Sequence, residues 1–325
     1  MNYMGKDGFV WFQGVVEDRN DPLKLGRCRV RCLGFHTEDK TLIPTENLPW
    51  SYPIQPITSA SMNGIGTTPL GPIEGTWVVG FFRDGFNAQE PVFFGTLGGV
   101  PGEESNTKKG FNDPNGKYPK SDFIEEQDTN RLARGETEET IVESKKESRE
   151  EHKEHPTANE AGDNNWEEPE VPYAAEYPYN HVYESESGHI QEFDDTEGAE
   201  RIHTYHKSGT FEEIHPNGDK VTKIIGDDYE LTLGKKFVHV SGNVNVVVDG
   251  QSTFYVKGNS DIQVDGNVKQ VVGGNVEQEV RGNVTVDAKG KFKVDATSIE
   301  MKSQGNVNIE GTGMMTLKGA TIDLN

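Results

Sequence analysis

The 325-residue sequence has little sulfur, no long apolar run and no basic surplus, and each shortage removes a class of protein. Its two cysteines, Cys28 and Cys32, lie four residues apart in a strand-like run, too far along an extended chain to bond to each other. A zinc site would need two more ligands nearby and the flanking residues offer none, so both are expected as buried free thiols. No apolar stretch approaches the roughly 18 residues of a membrane span. Residues 1–8 lack the basic-then-apolar pattern of a secretory signal, which points to synthesis in a cytoplasm. Histidine is absent beyond His239, so a metal held by histidines near the C-terminus is excluded. His203 with His206, and His152 with His155, could be taken as ligand pairs, but the expectation is solvated or strand-surface histidines. No metal, cofactor or catalytic residue is expected.

The formal charge of −22 is unevenly placed: residues 101–200 carry 10 basic and 28 acidic side chains and so hold −18 of it. That acidity argues against nucleic-acid binding. The stretch also lacks apolar residues. Glu136 to His155 is a mixed-charge run in which Ile141 and Val142 make no amphipathic face, so residues 101–179 are expected as an extended acidic linker with no core of its own. Trp166, Tyr173, Tyr177 and Tyr179 are its candidate docking points.

Glycine, by contrast, is plentiful and ordered. It recurs every eight residues at Gly226, Gly234, Gly242, Gly250, Gly258, Gly266, Gly274, Gly282 and Gly290, with Gly218 one step upstream. Apolar residues share the glycine parity at Val240, Val244, Val246, Val248, Val256, Ile262, Val264, Val268, Val272, Val276, Val280, Val284 and Val286, while Asn, Asp and Thr take the other. A short exact period marks an array, and alternation marks strands with one dry face. Each unit is therefore one strand and one glycine corner, where φ > 0 or close backbone approach suits glycine.

One octad cannot stand alone. Three buried apolar side chains contribute roughly 5–9 kcal/mol, against about 8–16 kcal/mol of backbone entropy for eight residues. Eight residues are also too few for a three-sided coil from one chain. Three chains wound together, each octad covering one side, supply the missing ladder and core and hide the lateral edges. The expectation for residues 226–325 is an intertwined trimeric β-helix, or β-prism, with the valines above as its core. A single-chain solenoid usually needs longer coils, and the irregular Asp249, Asp265 and Asp287 do not suit a calcium-binding roll. Beyond Gly290 the glycine phase fails and apolar parity switches, which suggests bulges. The apolar end (Met314, Met315, Leu317, Ile322, Leu324) has no polar cap and is expected to be covered.

Residues 1–100 read as a small all-β domain: an apolar run from Phe9 to Val16, a turn at Asp21-Pro22 and Gly26, a strand with Cys28, Val30 and Cys32 on one face, and two strands near Thr76–Phe82 and Pro91–Gly95. About five short strands in this length suggest an OB-fold barrel. Runs such as Trp77-Val78-Val79 and Val92-Phe93-Phe94 are apolar on both parities, so both faces are expected to be covered. Residues 180–225 return to short strands, a collar leading into the octads. The fold class is all-β.

The octads, with Glu186-Ser187-Gly188-His189, Asp194-Asp195-Thr196 and Glu200-Arg201-Ile202 before them, resemble the central spike of contractile-tailed phages and the related valine–glycine spike of type VI secretion systems. Gly14-Val15-Val16, Asp21-Pro22 and Gly26-Arg27 resemble the phage OB domain. Phe111-Asn112-Asp113-Pro114-Asn115-Gly116 and Asn130-Arg131-Leu132-Ala133-Arg134 resemble its connector. The resemblance implies a homotrimer in the virion tail baseplate, with its OB-folds on a ring of hub subunits. The needle would pierce the host outer membrane, with a small conical tip protein on its end. Some members carry a lysozyme domain between barrel and needle; residues 103–176 are too few and too polar for one, and the paired carboxylates of glycoside hydrolysis need an apolar cleft. The expected spike is mechanical and not an enzyme. A type VI or tailocin spike is the alternative; such spikes usually fuse a hub module ahead of the barrel, and this sequence starts at the barrel, which favours the phage.

Overall fold

The computed structural model describes residues 10–99, 102, 104–118, 128–151 and 166–323. Five strands, β1 (Val10–Asp18), β2 (Cys28–Cys32), β3 (Trp50–Pro53), β4 (Trp77–Phe82) and β5 (Pro91–Thr96), close into a barrel in the order β1-β2-β3-β5-β4. β3 and β5 pair in parallel and the other neighbours antiparallel. This is the OB arrangement anticipated from the strand spacing.

The barrel core is Phe12, Val16, Cys28, Val30, Cys32, Val78, Phe82 and Phe93. Both thiols are free and buried, and burial pushes the Cys28 thiol up to about 12, which leaves it unreactive. Gly80 is obligatory on β4, because a Cβ there would lie 2.1 Å from the Val92 carbonyl oxygen and 2.6 Å from the Phe12 ring. The arginine side of β2 is not wet at Arg31. Its guanidinium is fully buried, pairs with Glu17 at 2.6 Å, and donates to the carbonyls of Thr37 and Ile43 at 2.7 and 2.8 Å. A buried ion pair persists only when its remaining donors and acceptors are matched, and the loop over β2 supplies that match. Asp21 organises the turn before β2: its carboxylate meets Arg27 at 2.6 Å and accepts the Leu23 and Leu25 amides, while Gly26 takes φ +77°. The Arg27 pairing holds the Asp21 carboxyl well below the usual carboxylate range.

The collar is a five-stranded antiparallel meander of β6 (Asn180–Glu184), β7 (Ile190–Asp194), β8 (Arg201–Tyr205), β9 (Phe211–Ile214) and β10 (Lys220–Lys223). The linker expectation needs correction over residues 128–151. Two helices form there, α1 (Asp128–Ala133) and α2 (Ile141–Glu151). They place Leu132 and Val142, each 1% exposed, in one core with Ile190, Tyr205 and Phe211 of the collar. Two well-aimed side chains suffice because the sheet, not the helix, provides most of the apolar surface. Tyr173 also docks here, donating its hydroxyl to the Leu132 carbonyl, whereas Tyr177 and Tyr179 stay exposed. His152 and His155 lie outside the described residues.

The chain divides into two units, the second beginning at Thr253. Residues 226–323 are extended, and among them no strand is paired and no backbone hydrogen bond joins one octad to the next.

Candidate assembly surfaces

The octads bend in strict register. The chain turns at residues 225–226 and again at 233–234, 241–242, 249–250, 257–258, 265–266, 273–274, 281–282 and 289–290. Bends then continue at Thr297, Gln304–Gly305, Thr312–Gly313 and Ala320. The interval from Gly290 to Gly305 is fifteen residues, one short of two octads. The phase therefore slips by one residue and resumes, with Val307 and Ile309 after Gly305 at the offsets Val244 and Val246 hold after Gly242. A one-residue slip reverses side-chain parity, which accounts for the switch to Ile299 and Met301.

Every valine and isoleucine assigned above to the needle core is exposed in the single chain. The residues two before a glycine, such as Val256 at 40% and Val272 at 43%, are less exposed than Val246 at 78% or Val268 at 75%. Met314, Met315, Leu317 and Ile322 are exposed as well; Leu324 lies outside the described residues. The glycines divide into two kinds. Gly218 has φ +88° and belongs to the β9–β10 hairpin, so it is not an octad corner. The octad glycines from Gly226 to Gly290 are not left-handed, and a Cβ on any of them would meet nothing within 4 Å. Within one chain nothing demands glycine at these corners.

Two further surfaces are open. On the collar, cross-strand register aligns His181, Phe193, Ile202 and Ile214 in one row, with Phe193 and Ile202 close to half exposed. On the barrel, Trp11 meets Phe81 and Phe94 edge-on at 5.7 Å each, and Trp11 and Phe94 keep about half their surface exposed. Barrel and collar are joined where Arg19 meets Glu74 at 3.2 Å and Glu186 at 2.7 Å, while Tyr118 also donates to Glu186. Glu186 lies in the β6–β7 turn, so that sequence motif acts as a tie to the barrel.

The other face of the collar buries charge. Arg201 bridges Glu192 at 2.6 Å and Glu213 at 2.9 Å and lies over the Tyr173 ring at 4.9 Å. His203 Nδ1 is 2.9 Å from Glu192, and Lys145 of α2 reaches Glu213 at 2.9 Å. His203 is fully buried, which corrects the expectation of a solvated histidine. Although burial opposes it, the pairing with His203, Arg201 and Asn180 holds the Glu192 carboxyl down at about 2. The only sequence hint was complementary charge on one strand parity, in Glu192, Arg201, His203 and Glu213. Among the described residues no cluster suited to a metal ion occurs, and no helix is long and apolar enough to cross a membrane.

Fold and surfaces together define a closed OB barrel leading through a small collar into an octad array. The chain matches the family described as the Gp5 N-terminal OB domain over residues 34–173. It is 50% identical over 272 residues to Protein Gp5 of Vibrio phage KVP40, covering 75% of this chain and 64% of that protein. It is also 52% identical over 115 residues to the pre-baseplate central spike protein Gp5 of Enterobacteria phage T4, covering 34% of this chain and 20% of that protein. The chain thus spans under two thirds of the first of these relatives and a fifth of the second. Over residues 34–173 it is similar to the Gp5 OB-domain family, and over three quarters of its length to the Gp5 protein of a Vibrio phage.

Proposed function

We propose that this chain is the central spike of a phage tail baseplate, a homotrimer whose octads wind into one needle that pierces the host outer membrane when the tail contracts. The observation that carries this reading is the state of residues 226–323, extended, bent every octad and unpaired. Backbone N–H and C=O groups require partners in any persistent structure. The apolar face of each octad likewise requires cover, and two further copies supply both. The half-exposed aromatics Trp11 and Phe94 suit docking of the barrel on a ring of hub subunits. The exposed Met314, Met315, Leu317 and Ile322 suit a small apolar-based tip protein. The name of the T4 relative supports the baseplate location.

The spike acts mechanically and not as an enzyme. The carboxylates on and before α2, such as Glu138, Glu139, Glu143 and Glu147, are solvent-exposed. The buried Glu192 and Glu213 are sealed and held below the usual carboxylate range. A glycosidase acid needs the opposite, a raised pKa beside an open cleft. Purified protein is expected to release no more peptidoglycan fragments than a boiled control, and antibody against the octads to mark the centre of the baseplate on intact particles. Sustained peptidoglycan turnover would refute the mechanical assignment, and particles that bind no antibody at the baseplate would refute the spike.

A further inference from the structure

Helix α2 reaches the collar through a buried cation whose partners include an imidazole. The Lys145 ammonium lies 2.9 Å from Glu213, 3.3 Å from His203 Nε2 and 4.1 Å above the Phe211 ring. An ammonium only donates, so His203 Nε2 accepts and Nδ1 carries the hydrogen, donated to Glu192 Oε1 at 2.9 Å. The geometry thus calls for neutral His203. We propose that His203 is a pH-sensitive latch: neutral, it holds α2 on the collar sheet, and protonated, it expels Lys145 and frees the helix.

The groups facing His203 support this assignment. β7 contributes Glu192 and β9 contributes Glu213, both already matched by Arg201 of β8 and Lys145 of α2. A further proton on His203 would put an N–H donor against the ammonium and set a third cation beside Arg201 and Lys145. Asp194 lies one register step away, opposite Arg201, with one oxygen taken by Thr196. His215 Nε2 also lies 3.3 Å from Glu213. Burial, with Lys145 and Arg201 nearby, pushes the His203 imidazole below its ordinary 6.5. A histidine depressed in the docked state is protonated more readily once released, so docking weakens as pH falls below about 6.5, by at most about tenfold per pH unit. Glu192 and Glu213 stay ionised through the upper part of this window, because their folded-state carboxyls lie below 4.5. Val142 is the other anchor of α2 in that core, an apolar one that does not respond to pH. Outside it, Lys223 meets Ser148 at 3.3 Å and Glu168 at 2.9 Å, and Arg149 meets Glu170 at 3.3 Å.

The test is hydrogen exchange followed by mass spectrometry on the full-length protein between pH 7.5 and 5.0, corrected for intrinsic rates. Amide protection of residues 141–151 should fall by about tenfold or more over that range, while the barrel strands keep theirs. In His203→Gln the amide can donate to Glu192 and accept from Lys145, so docking should persist and its pH dependence vanish; His215→Gln should behave as wild type. Exchange at the imidazole C–H of wild-type His203 gives a second readout that needs no variant. Its titration should begin below 6.5 and track the loss of α2 protection. Protection of α2 that is flat with pH, an undiminished pH response in a docked His203→Gln, or His203 titrating without loss of α2 protection would each overturn the latch.

Discussion

Arg201→Met is expected to cost the collar about 3–5 kcal/mol near neutral pH, because it leaves two sealed carboxylates without their shared cation. The Arg201 side chain is 1% exposed and those of Glu192 and Glu213 are 0% and 2%, so solvent offers no screening. Glu192 would keep only its bonds from His203 and Asn180, and Glu213 would lean on Lys145. The pH dependence carries a definite sign. In the wild type the depressed Glu192 carboxyl contributes stability that is present above about 4.5 and lost as pH falls toward about 2. In Arg201→Met that carboxyl rises, so the penalty is largest above pH 4.5 and shrinks in acid, where the freed carboxylates can take protons. Amide protection of β7, β8 and β9 measures this, with the barrel strands as internal reference. A penalty under about 1 kcal/mol at pH 7 would mean that the ionic set is not desolvated as described.

Gly258→Val is expected to lower the stability of the assembled needle by roughly 1–3 kcal/mol per chain through overpacking. Intrachain geometry alone forecasts the reverse. Nothing lies within 4 Å of a Cβ at Gly258, and its φ is not left-handed. Replacing glycine where the backbone tolerates a side chain removes unfolded-state entropy and is neutral or stabilising by about 0.4–1 kcal/mol. A marked loss therefore reports contact with other copies at the corner. Thermal unfolding of the full chain, compared with Asn259→Thr on the wet parity next door, separates the two. A Gly258→Val protein as stable as wild type would remove the packing reason for the glycine series.

The barrel was legible because its strands obey simple rules. Cys28, Val30 and Cys32 alternate inward, Asp21 and Gly26 mark the turn, and β4 and β5 follow their apolar runs. The collar strands were legible as segments, but their faces were not. Phe193 and Ile202, the residues a hydrophobic pattern would bury, are half exposed, while Glu192, Arg201, His203 and Glu213 point inward. Binary patterning assumes that polar means wet, and mutual neutralisation across three strands defeats it. The docking of α2 was not legible for a related reason, since Val142 and Lys145 are its buried residues and most of the rest is charged surface. The octad period stood out at once. What the sequence alone left hidden was that the series resumes one residue short after Gly290, because Gly305 and Gly313 fall on the other parity and look out of phase.

The central claim is that residues 226–323 acquire their ladder and core from two further copies of the same chain. Its most direct test is the solution mass of the purified full-length protein by sedimentation equilibrium or light scattering. One chain is 36.0 kDa, so the account predicts a single species of three times that mass at micromolar concentration, persisting on dilution. A monodisperse species of one chain's mass, with the octads folded, would contradict it.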